Sequence, residues 1–309
     1  MKPTLTTILL ATDGAHDADE AGRAAIALAD LTGAALHVVH VWRIPPEHAD
    51  PALASADRAY VAALHEEQGR RALAAVLDRL DTAGGAVAGA QLRHGRLAEE
   101  VLEEAATVGA DLIVTGSRGS GHVKRVMRGS VAEEIVRGAA CPVLVVRGDD
   151  AWPPTRIVIG DDGSPEARTA AELAAMIGGA YRAEAVLVRT VPALPPPNLA
   201  EGVGGQAARL QAESLRRAEA ELTGRAGELA ALLGRRPATC ATVEDAPIAL
   251  LRAAEDDENR ALIAVGTRGT APVGQLWLGS TALEVLTCAT GPVLVCPRRA
   301  FAASVVAQA

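Results

Sequence analysis

Aromatic residues make up only 2% of this 309-residue chain, although 49% of the residues are hydrophobic. A core must therefore be built from Ala, Val, Leu and Ile, which favours buried parallel strands and tightly packed helices over a sandwich of aromatic pairs. The length suits two domains of about 150 residues each.

Lysine is also scarce, and the 38 acidic residues outnumber the 30 basic ones. The formal net charge is −8, and lysine occurs only at positions 2 and 124. We therefore expect neither a nucleic-acid partner nor an anionic membrane held by bulk electrostatics. No apolar run reaches the ~18 residues of a membrane span. The first run, 5–11, is too short for a secretory signal, so we expect a cytoplasmic protein.

Cysteine and histidine show no metal-binding pattern. There is no CxxC pair and no HExxH motif, and no His/Asp pair recurs in both halves of the chain. Three of the four cysteines lie in or beside apolar patterns, so we interpret the cysteines as small core residues. No metal site and no catalytic residue is predicted. The cysteines are Cys141, Cys240, Cys288 and Cys296.

The chain contains an internal repeat at an offset of about 150 residues. Three segments of the first half have counterparts in the second, in the same order and at the same spacing, which indicates duplication of one domain. The pairs are 7–14 with 156–163, 110–119 with 260–269, and 141–146 with 291–296.

Short apolar runs alternate with longer amphipathic patterns in each half. This alternation predicts two tandem doubly wound, Rossmann-like α/β domains, each a five-stranded, largely parallel sheet flanked by helices. Gly33 is expected just beyond the first helix. We divide the chain into a domain 1–148, a linker 149–155, a domain 156–300 and a C-terminal tail 301–309. The predicted strands lie near 6–11, 35–41, 87–93, 111–115 and 142–146, then 156–160, 184–189, 238–243, 261–265 and 292–296. The first half's helices are predicted near 17–32, 57–82, 96–108 and 130–138.

Each half carries the pattern G-x₂-G-x₉-G-[ST] directly after its fourth predicted strand. Glycine permits a sharp turn and lets phosphate oxygens approach main-chain N–H groups, and the start of the next helix favours an anion. The pattern is neither a Walker A loop nor a first-strand GxGxxG. Its residues are Gly116, Ser117, Arg118, Gly119, Gly129 and Ser130, then Gly266, Thr267, Arg268, Gly269, Gly279 and Ser280.

The two serines of this pattern have alternative roles. Ser130 and Ser280 can cap the following helices or donate a hydroxyl to phosphate, and Ser130-Val-Ala-Glu133 also fits a capping box.

An Asp-Gly pair ends the first predicted strand of each half, at Asp13 and Asp162. A carboxylate at the carboxyl end of a parallel strand points into the crevice where ligands bind in open α/β sheets. The alternative is that each aspartate caps the next helix.

The strand-Asp-Gly start, the glycine pattern and the final strand, Cys/Gly-Pro-Val-Leu-Val, resemble the universal stress protein family. The resemblance covers nearly the whole chain, as a tandem member of the ATP-binding branch. It implies ATP, with or without Mg²⁺, in the crevice between the first and fourth strands. It also implies a pseudo-dimer of the two domains through strands 142–146 and 292–296, and it leaves open a further homodimer.

The resemblance also assigns nucleotide contacts. Adenine would meet the backbone near Ala11 and Val41 and near Gly160 and Thr190. Asp13 and Asp162 would contact ribose or base. The glycine loops, with Ser130-Val131 and Ser280-Thr281, would hold the phosphates.

The two copies differ in charge between their glycines. The first has Lys124, Arg125 and Arg128, whereas 270–278 carries no cation, so we predict that the first site binds a triphosphate more tightly. The leading hypothesis is an ATP-binding regulatory protein of the stress response, not an enzyme, with an unknown protein partner. The alternatives are a slow ATPase or phosphotransferase using Asp13 or His122, and a scaffold with vestigial sites.

Overall fold

The computed structural model shows an α/β protein that divides into two compact units between Trp152 and Pro153. We call the unit Thr4–Trp152 domain 1 and the unit beginning at Pro153 domain 2. The structure describes residues 4–14, 19–45, 48, 55–117, 130–148, 150–194, 203–255, 260–267 and 279–297. Within these residues no helix combines the length and apolar character that crossing a membrane requires.

Domain 1 is a parallel sheet of strand order β3-β2-β1-β4-β5 with helices between its strands. Its strands are β1 (Thr7–Thr12), β2 (Ala35–Trp42), β3 (Val87–His94), β4 (Leu112–Gly116) and β5 (Val143–Val146). Its helices are α1 (Asp19–Thr32), α2 (Ser55–Thr82), α3 (Leu97–Val108) and α4 (Ser130–Gly138).

Domain 2 repeats this plan, with strand order β10-β9-β6-β7-β8, again all parallel. Its strands are β6 (Arg156–Gly160), β7 (Glu184–Thr190), β8 (Ala238–Thr242), β9 (Ala261–Gly266) and β10 (Val293–Cys296). Its helices are α5 (Pro165–Tyr181), α6 (Val203–Leu233), α7 (Ala246–Ala253) and α8 (Ser280–Cys288).

The predicted fold class, two tandem doubly wound domains, is confirmed. The central strands are buried on both faces because helices cover both, and Ile8, Leu9 and Ile113 have at most 1% of their surface exposed. Gly33 adopts φ 72° beyond α1 and donates its N–H to Ala29 O at 2.8 Å, as expected of a C′ glycine. The pairing of the two last strands stays a prediction. The tail 301–309 and His122 lie outside the described residues.

The helices pack closely where small residues allow it. A Cβ on Gly179 of α5 would lie 2.0 Å from the carbonyl oxygen of Leu232 in α6, so this helix contact requires glycine. Among the cysteines, the core interpretation is right for Cys296, which is buried, and wrong for Cys288, which is exposed at the end of α8. Cys141 and Cys240 are half-buried.

Candidate functional site

The candidate site of domain 1 lies at the carboxyl edge of the sheet, between β1 and β4. Ala11 of β1 is in register with Val39 on one side and with Thr115 on the other. The chain leaves β1 towards β2, whereas β4 lies on the opposite side, so a crevice opens between the ends of β1 and β4. Asp13 follows β1 and Gly116 ends β4. The structure therefore brings the predicted acid and the predicted glycine loop to neighbouring strand ends.

Domain 2 has the same arrangement between β6 and β9. Ile159 of β6 is in register with Ala264 of β9. Asp162 follows β6, and Gly266 ends β9.

The positions assigned to adenine also match between the domains. Val41 lies two residues beyond the register partner of Ala11, and Thr190 lies two residues beyond the register partner of Gly160. One position of each pair thus lies on the strand that borders the crevice, and the other lies on the next strand, on the side away from the glycine loop.

Buried polar groups shape the end of β1. Thr12, His40 and Thr115 are all buried. The Nδ1–H of His40 donates to the carbonyl oxygen of Thr12 at 3.0 Å, and Thr12 Oγ1 accepts the N–H of Gly14 at 3.2 Å. Gly14 adopts φ 77°, and a Cβ there would lie 3.1 Å from that of Ala72. The glycine that follows the aspartate is therefore required by the turn.

The end of β6 is built differently, from charged groups. The carboxylate Oδ1 of Asp161 accepts the N–H of Gly163 at 2.8 Å, as Thr12 does for Gly14. Arg189 of β7 donates to both the carbonyl oxygen and Oδ1 of Asp161, each at 2.8 Å. Arg225 of α6 lies 3.7 Å from the other carboxylate oxygen of Asp161.

Asp162 does not cap α5, so the N-cap alternative is wrong for this residue. Ser164 is the N-cap, and its Oγ accepts the N–H of Ala167 at 3.1 Å. Asp162 Oδ1 instead accepts the N–H of Ser164 at 2.9 Å, and Asp162 remains exposed. The N-cap alternative for Asp13 falls on residues 15–18, outside the described part of the chain.

The glycine loops are described only at their ends. Gly116 and Ser117 end the strand side of the first loop, and Gly266 and Thr267 end that of the second. Ser130 with Val131, and Gly279 with Ser280 and Thr281, begin the helices that follow. The residues between them lie outside the described part of the chain. Among the predicted site residues these are Arg118, Gly119, Gly129, Arg268 and Gly269, and the cations Lys124, Arg125 and Arg128 lie there too.

Several main-chain N–H groups at the loop ends are already hydrogen-bonded. Those of Ser117 and Thr267 donate to Val146 O at 3.1 Å and to Cys296 O at 2.9 Å, continuing the sheet. The N–H of Gly279 donates to Thr267 O at 2.6 Å. In this conformation these three N–H groups are used within the protein, so a phosphate would be held by other groups of the loops.

The helix that follows the second loop begins at Ser280, and its N-cap is Gly279, at φ −58° and ψ 150°. The alternative that Ser280 caps α8 is therefore wrong, and Ser280 is an exposed residue in the first turn of this helix. In domain 1, α4 also begins at Ser130 itself. Glu133 Oε1 accepts from Arg137 at 3.0 Å, which is not the contact that a capping box requires.

Comparison with known proteins assigns the family. The sequence model of the universal stress protein family matches residues 4–147 and again 154–297. The chain belongs to the universal stress protein family. Universal stress protein MJ0531 of Methanocaldococcus jannaschii is 34% identical over 140 residues, which cover 45% of this chain and 81% of that protein. A universal stress protein of Thermus aquaticus is 38% identical over 142 residues, 46% of this chain and 98% of that protein.

A solved structure shares the tandem fold. The crystal structure of a universal stress protein from Archaeoglobus fulgidus aligns with 96% of this chain and 97% of its own, at TM-score 0.64 and 19% identity. The two matches of the family model confirm the predicted tandem universal stress protein.

Close packing explains why this universal stress protein has glycine at position 266. A Cβ there would lie 2.8 Å from that of Glu166 and 2.9 Å from the nitrogen of Ala167, both in the first turn of α5. The first glycine of the second loop thus permits close approach of β9 and α5, a reason that the motif alone does not reveal.

The acidic loop after β8 lies away from the crevice. Asp245 is the N-cap of α7, and Pro247 stands in the first turn, where proline is well tolerated. Glu244 pairs with Arg252. Because β7 lies between β6 and β8, this loop does not border the β6–β9 crevice.

The corresponding edge of domain 1 carries an ion-pair cluster. Arg93 of β3 bonds Glu100, Glu104 and Glu103 at 2.8–2.9 Å. The hydrogen bond with Glu100 is the largest cause that raises the pKa of Arg93 above its ordinary value.

The charged groups around Asp161 were not predicted from the sequence. Asp161-Asp162 stands where domain 1 has Thr12-Asp13, and that extra acid was the available signal. Its partners Arg189 and Arg225 are distant in sequence. In the described part of the chain there is no group of three or more His, Cys, Asp or Glu residues that could hold a metal.

Proposed function

We propose that this universal stress protein binds an adenine nucleotide, ATP in the first instance, at the β1–β4 crevice of domain 1 and at the β6–β9 crevice of domain 2. The observation that carries the proposal is the placement of an Asp-Gly turn and a glycine-loop end on neighbouring parallel strands, in both domains, next to the start of a helix. Acid, turn and helix start are the parts that a nucleotide site at such a crevice needs.

The described residues offer suitable groups for the ribose and the phosphates of a nucleotide. Asp162 is exposed, and one of its carboxylate oxygens is occupied by Ser164, so the other can accept a ribose hydroxyl. Ser280 and Thr281 begin α8, where main-chain N–H groups lack helical partners and the helix dipole favours an anion. In domain 1 the corresponding groups are Asp13 and the Ser130-Val131 start of α4. Bound Mg²⁺ would come with the nucleotide, since phosphates supply its ligands.

We propose a regulatory role, in which nucleotide occupancy alters the binding of a partner protein in the cytoplasm. The described residues at the crevices include no cluster of acids for catalytic metal ions. The competing function is that of a slow ATPase or phosphotransferase, and an experiment can distinguish it from nucleotide binding alone.

The test is incubation of the purified protein with radiolabelled ATP, followed by rapid gel filtration and analysis of the retained nucleotide. We expect retained, unchanged ATP that approaches two molecules per chain at saturation. Multiple turnovers to ADP would show an enzyme, and no retention together with no thermal shift would show vestigial sites.

Variants that block phosphate binding without unfolding the helices show whether the retained ATP occupies the proposed sites. Gly279→Asp is suitable because φ −58° accepts an L-residue and aspartate is a favoured N-cap, whereas its charge repels phosphate. Gly129→Asp is the equivalent change in the first glycine loop. The double variant should retain no ATP, and retention equal to wild type would place the nucleotide elsewhere.

A further inference from the structure

Domain 2 holds a buried charged cluster at the end of β6, formed by Asp161, Arg189 and Arg225. Their side chains are 4%, 12% and 7% exposed. Charges are buried to this extent only when they are paired and hydrogen-bonded. The cluster adjoins the candidate site, because Asp162 is the next residue and Thr190 follows Arg189.

Arg189 fixes the backbone as well as the carboxylate of Asp161. Its Nε donates to the carbonyl oxygen of Asp161 and one Nη to Oδ1, each at 2.8 Å. The other Nη bonds Glu221 of α6. A planar guanidinium can make all three bonds in one rigid geometry, which an ammonium group cannot.

Arg225 supports the same unit from α6. It lies 3.7 Å from Asp161 Oδ2, donates to the carbonyl oxygen of Arg168 at 3.1 Å, and bonds Glu228. The hydrogen bond from Arg225 is also the largest cause that lowers the pKa of Glu228 below its ordinary value. The guanidinium thus ties α6 to β6 and to the first turns of α5.

The result is a turn whose hydrogen bonds are satisfied without ligand. Asp161 accepts from Gly163, Asp162 accepts from Ser164, and Ser164 accepts from Ala167, at 2.8, 2.9 and 3.1 Å. Each bond restricts the backbone on either side of Asp162. A group held in place before binding loses less conformational freedom when the ligand arrives.

Domain 1 has neither a carboxylate nor a guanidinium at any corresponding position. At the offset that relates Gly14 to Gly163, Asp161 corresponds to Thr12, Arg189 to His40, Arg225 to Val76 and Glu221 to Ala72. Val76 is buried, as Arg225 is. Two of the hydrogen bonds have counterparts in domain 1. His40 donates to the carbonyl oxygen of Thr12, as Arg189 does to that of Asp161, and the Thr12 side chain accepts the N–H of Gly14, as the Asp161 side chain accepts that of Gly163. Of the two domains, only domain 2 therefore has the residues of this charged cluster.

We propose that Arg189 is a positioning residue of the second nucleotide site, which acts through Asp161 to hold Asp162 ready for the nucleoside part of the ligand. The proposal rests on the proposed function. In this proposal Asp162 contacts ribose or base and not phosphate. Loss of its positioning should therefore weaken the binding of ATP, ADP and AMP by the same factor.

The experiment titrates each of the three nucleotides into Gly129→Asp protein, in which only the second site accepts phosphate-bearing ligands. Adding Arg189→Met should raise the three dissociation constants equally, by about tenfold, as expected for loss of about one hydrogen bond's worth of binding free energy. Arg189→Lys keeps the positive charge but not the planar guanidinium, so its dissociation constants should lie between those of the parent and those of Arg189→Met. The matched control is Arg156→Met at the opposite end of β6, where Arg156 pairs with Glu184 of β7, and it should leave all three constants unchanged.

A second variant keeps the test valid if Arg189→Met unfolds domain 2. The double change Asp161→Thr with Arg189→His installs the pair that domain 1 uses, leaves no buried carboxylate unpaired, and should restore the affinities to within about threefold of the parent. Unchanged affinity in Arg189→Met, or a greater loss for ATP than for AMP, would overturn the positioning role. If the Gly129→Asp parent bound none of the three nucleotides, the proposed function of domain 2 would itself be wrong.

Discussion

The Cys141 thiol lies half-buried just before β5, close to the carboxylate of Asp111. Burial is the first cause that raises the pKa of Cys141 to about 12 from an ordinary 9.0, and the negative charge of Asp111 is the second. Asp111 is itself held in place, since Oδ2 accepts the N–H groups of Thr6 and Thr7 at 2.8 and 3.1 Å. Because the thiolate is the reactive form, we expect Cys141 to react slowly near neutral pH.

Alkylation with iodoacetamide at about pH 8 should therefore modify the exposed Cys288 well before Cys141 or the buried Cys296. Peptide mass spectrometry gives the rates. Asp111→Asn removes one cause of the raised pKa, so it should speed labelling of Cys141 at about pH 10 while leaving Cys288 unchanged. Equal rates for Cys141 and Cys288 in the wild type would contradict this assignment.

Functional groups defined by local spacing can be predicted from the sequence, whereas those defined by distant partners cannot. Asp162 was assigned to the crevice from its place after β6. Asp161, one residue earlier, drew no prediction, because its role depends on Arg189 and Arg225, which follow 28 and 64 residues later. Ser164 was likewise missed as the N-cap, since the choice among neighbouring Asp and Ser residues depends on backbone angles.

At the element scale, the contact between β9 and the first turn of α5 gives a sharp test of Gly266. Gly266→Ala places a Cβ 2.8 Å from that of Glu166 and 2.9 Å from the backbone nitrogen of Ala167. Backbone cannot yield as a flexible side chain does, so we expect a loss of about 1–3 kcal/mol in the free energy of unfolding. Urea denaturation followed by circular dichroism measures it, with the transition of domain 2 as readout.

The matched control is Gly224→Ala in α6. Nothing lies within 4 Å of a Cβ there, and the position is exposed. Alanine should therefore stabilise the helix, by about 0.5–1 kcal/mol. If the Gly266→Ala protein had the same free energy of unfolding as the Gly224→Ala protein, α5 would be able to move away from β9 without loss of stability.

The elements themselves were predictable because buried parallel strands appear as continuous apolar runs, which amphipathic helices separate. Each predicted strand lies within two residues of the observed one at both ends. The ends of the glycine loops were less predictable. The Thr267 N–H continues the sheet to Cys296 and the Gly279 N–H returns to Thr267, and neither bond follows from a glycine spacing.

For the whole molecule, duplication has kept the fold and changed the charges. The first turns of α1 and α5 are each joined to the following long helix by an ion pair, but the signs are exchanged. Asp19 pairs with Arg79 in domain 1, whereas Arg168 pairs with Glu228 in domain 2. Such partly exposed pairs add little stability. Their reversal shows that the two copies have diverged in contacting pairs, so differences between the two sites are expected as well.

The largest such difference is the charge of the glycine loops, where Lys124, Arg125 and Arg128 have no cationic counterpart in 270–278. If these cations contribute to triphosphate affinity, that contribution is screened by salt, because the Debye length shortens from about 10 Å at 0.1 M to about 3 Å at 1 M. On the proposed function, we expect the affinity of domain 2 for ATP to depend more on hydrogen bonds around Asp162, which salt affects less. Tighter ATP binding is therefore expected at the first site at low salt, and the difference should narrow as salt rises.

Calorimetric titration of ATP into the Gly279→Asp and Gly129→Asp proteins at about 0.1 M and about 1 M NaCl compares the two sites one at a time. Lys124→Met, Arg125→Met and Arg128→Met, combined in the Gly279→Asp protein, should lower the low-salt affinity and flatten its salt dependence towards that of the second site. AMP provides the internal control, since it carries less charge than ATP and should show a smaller salt effect at the first site. A second site that binds ATP more tightly at low salt, or two sites with the same salt dependence, would mean that these cations do not act on the nucleotide.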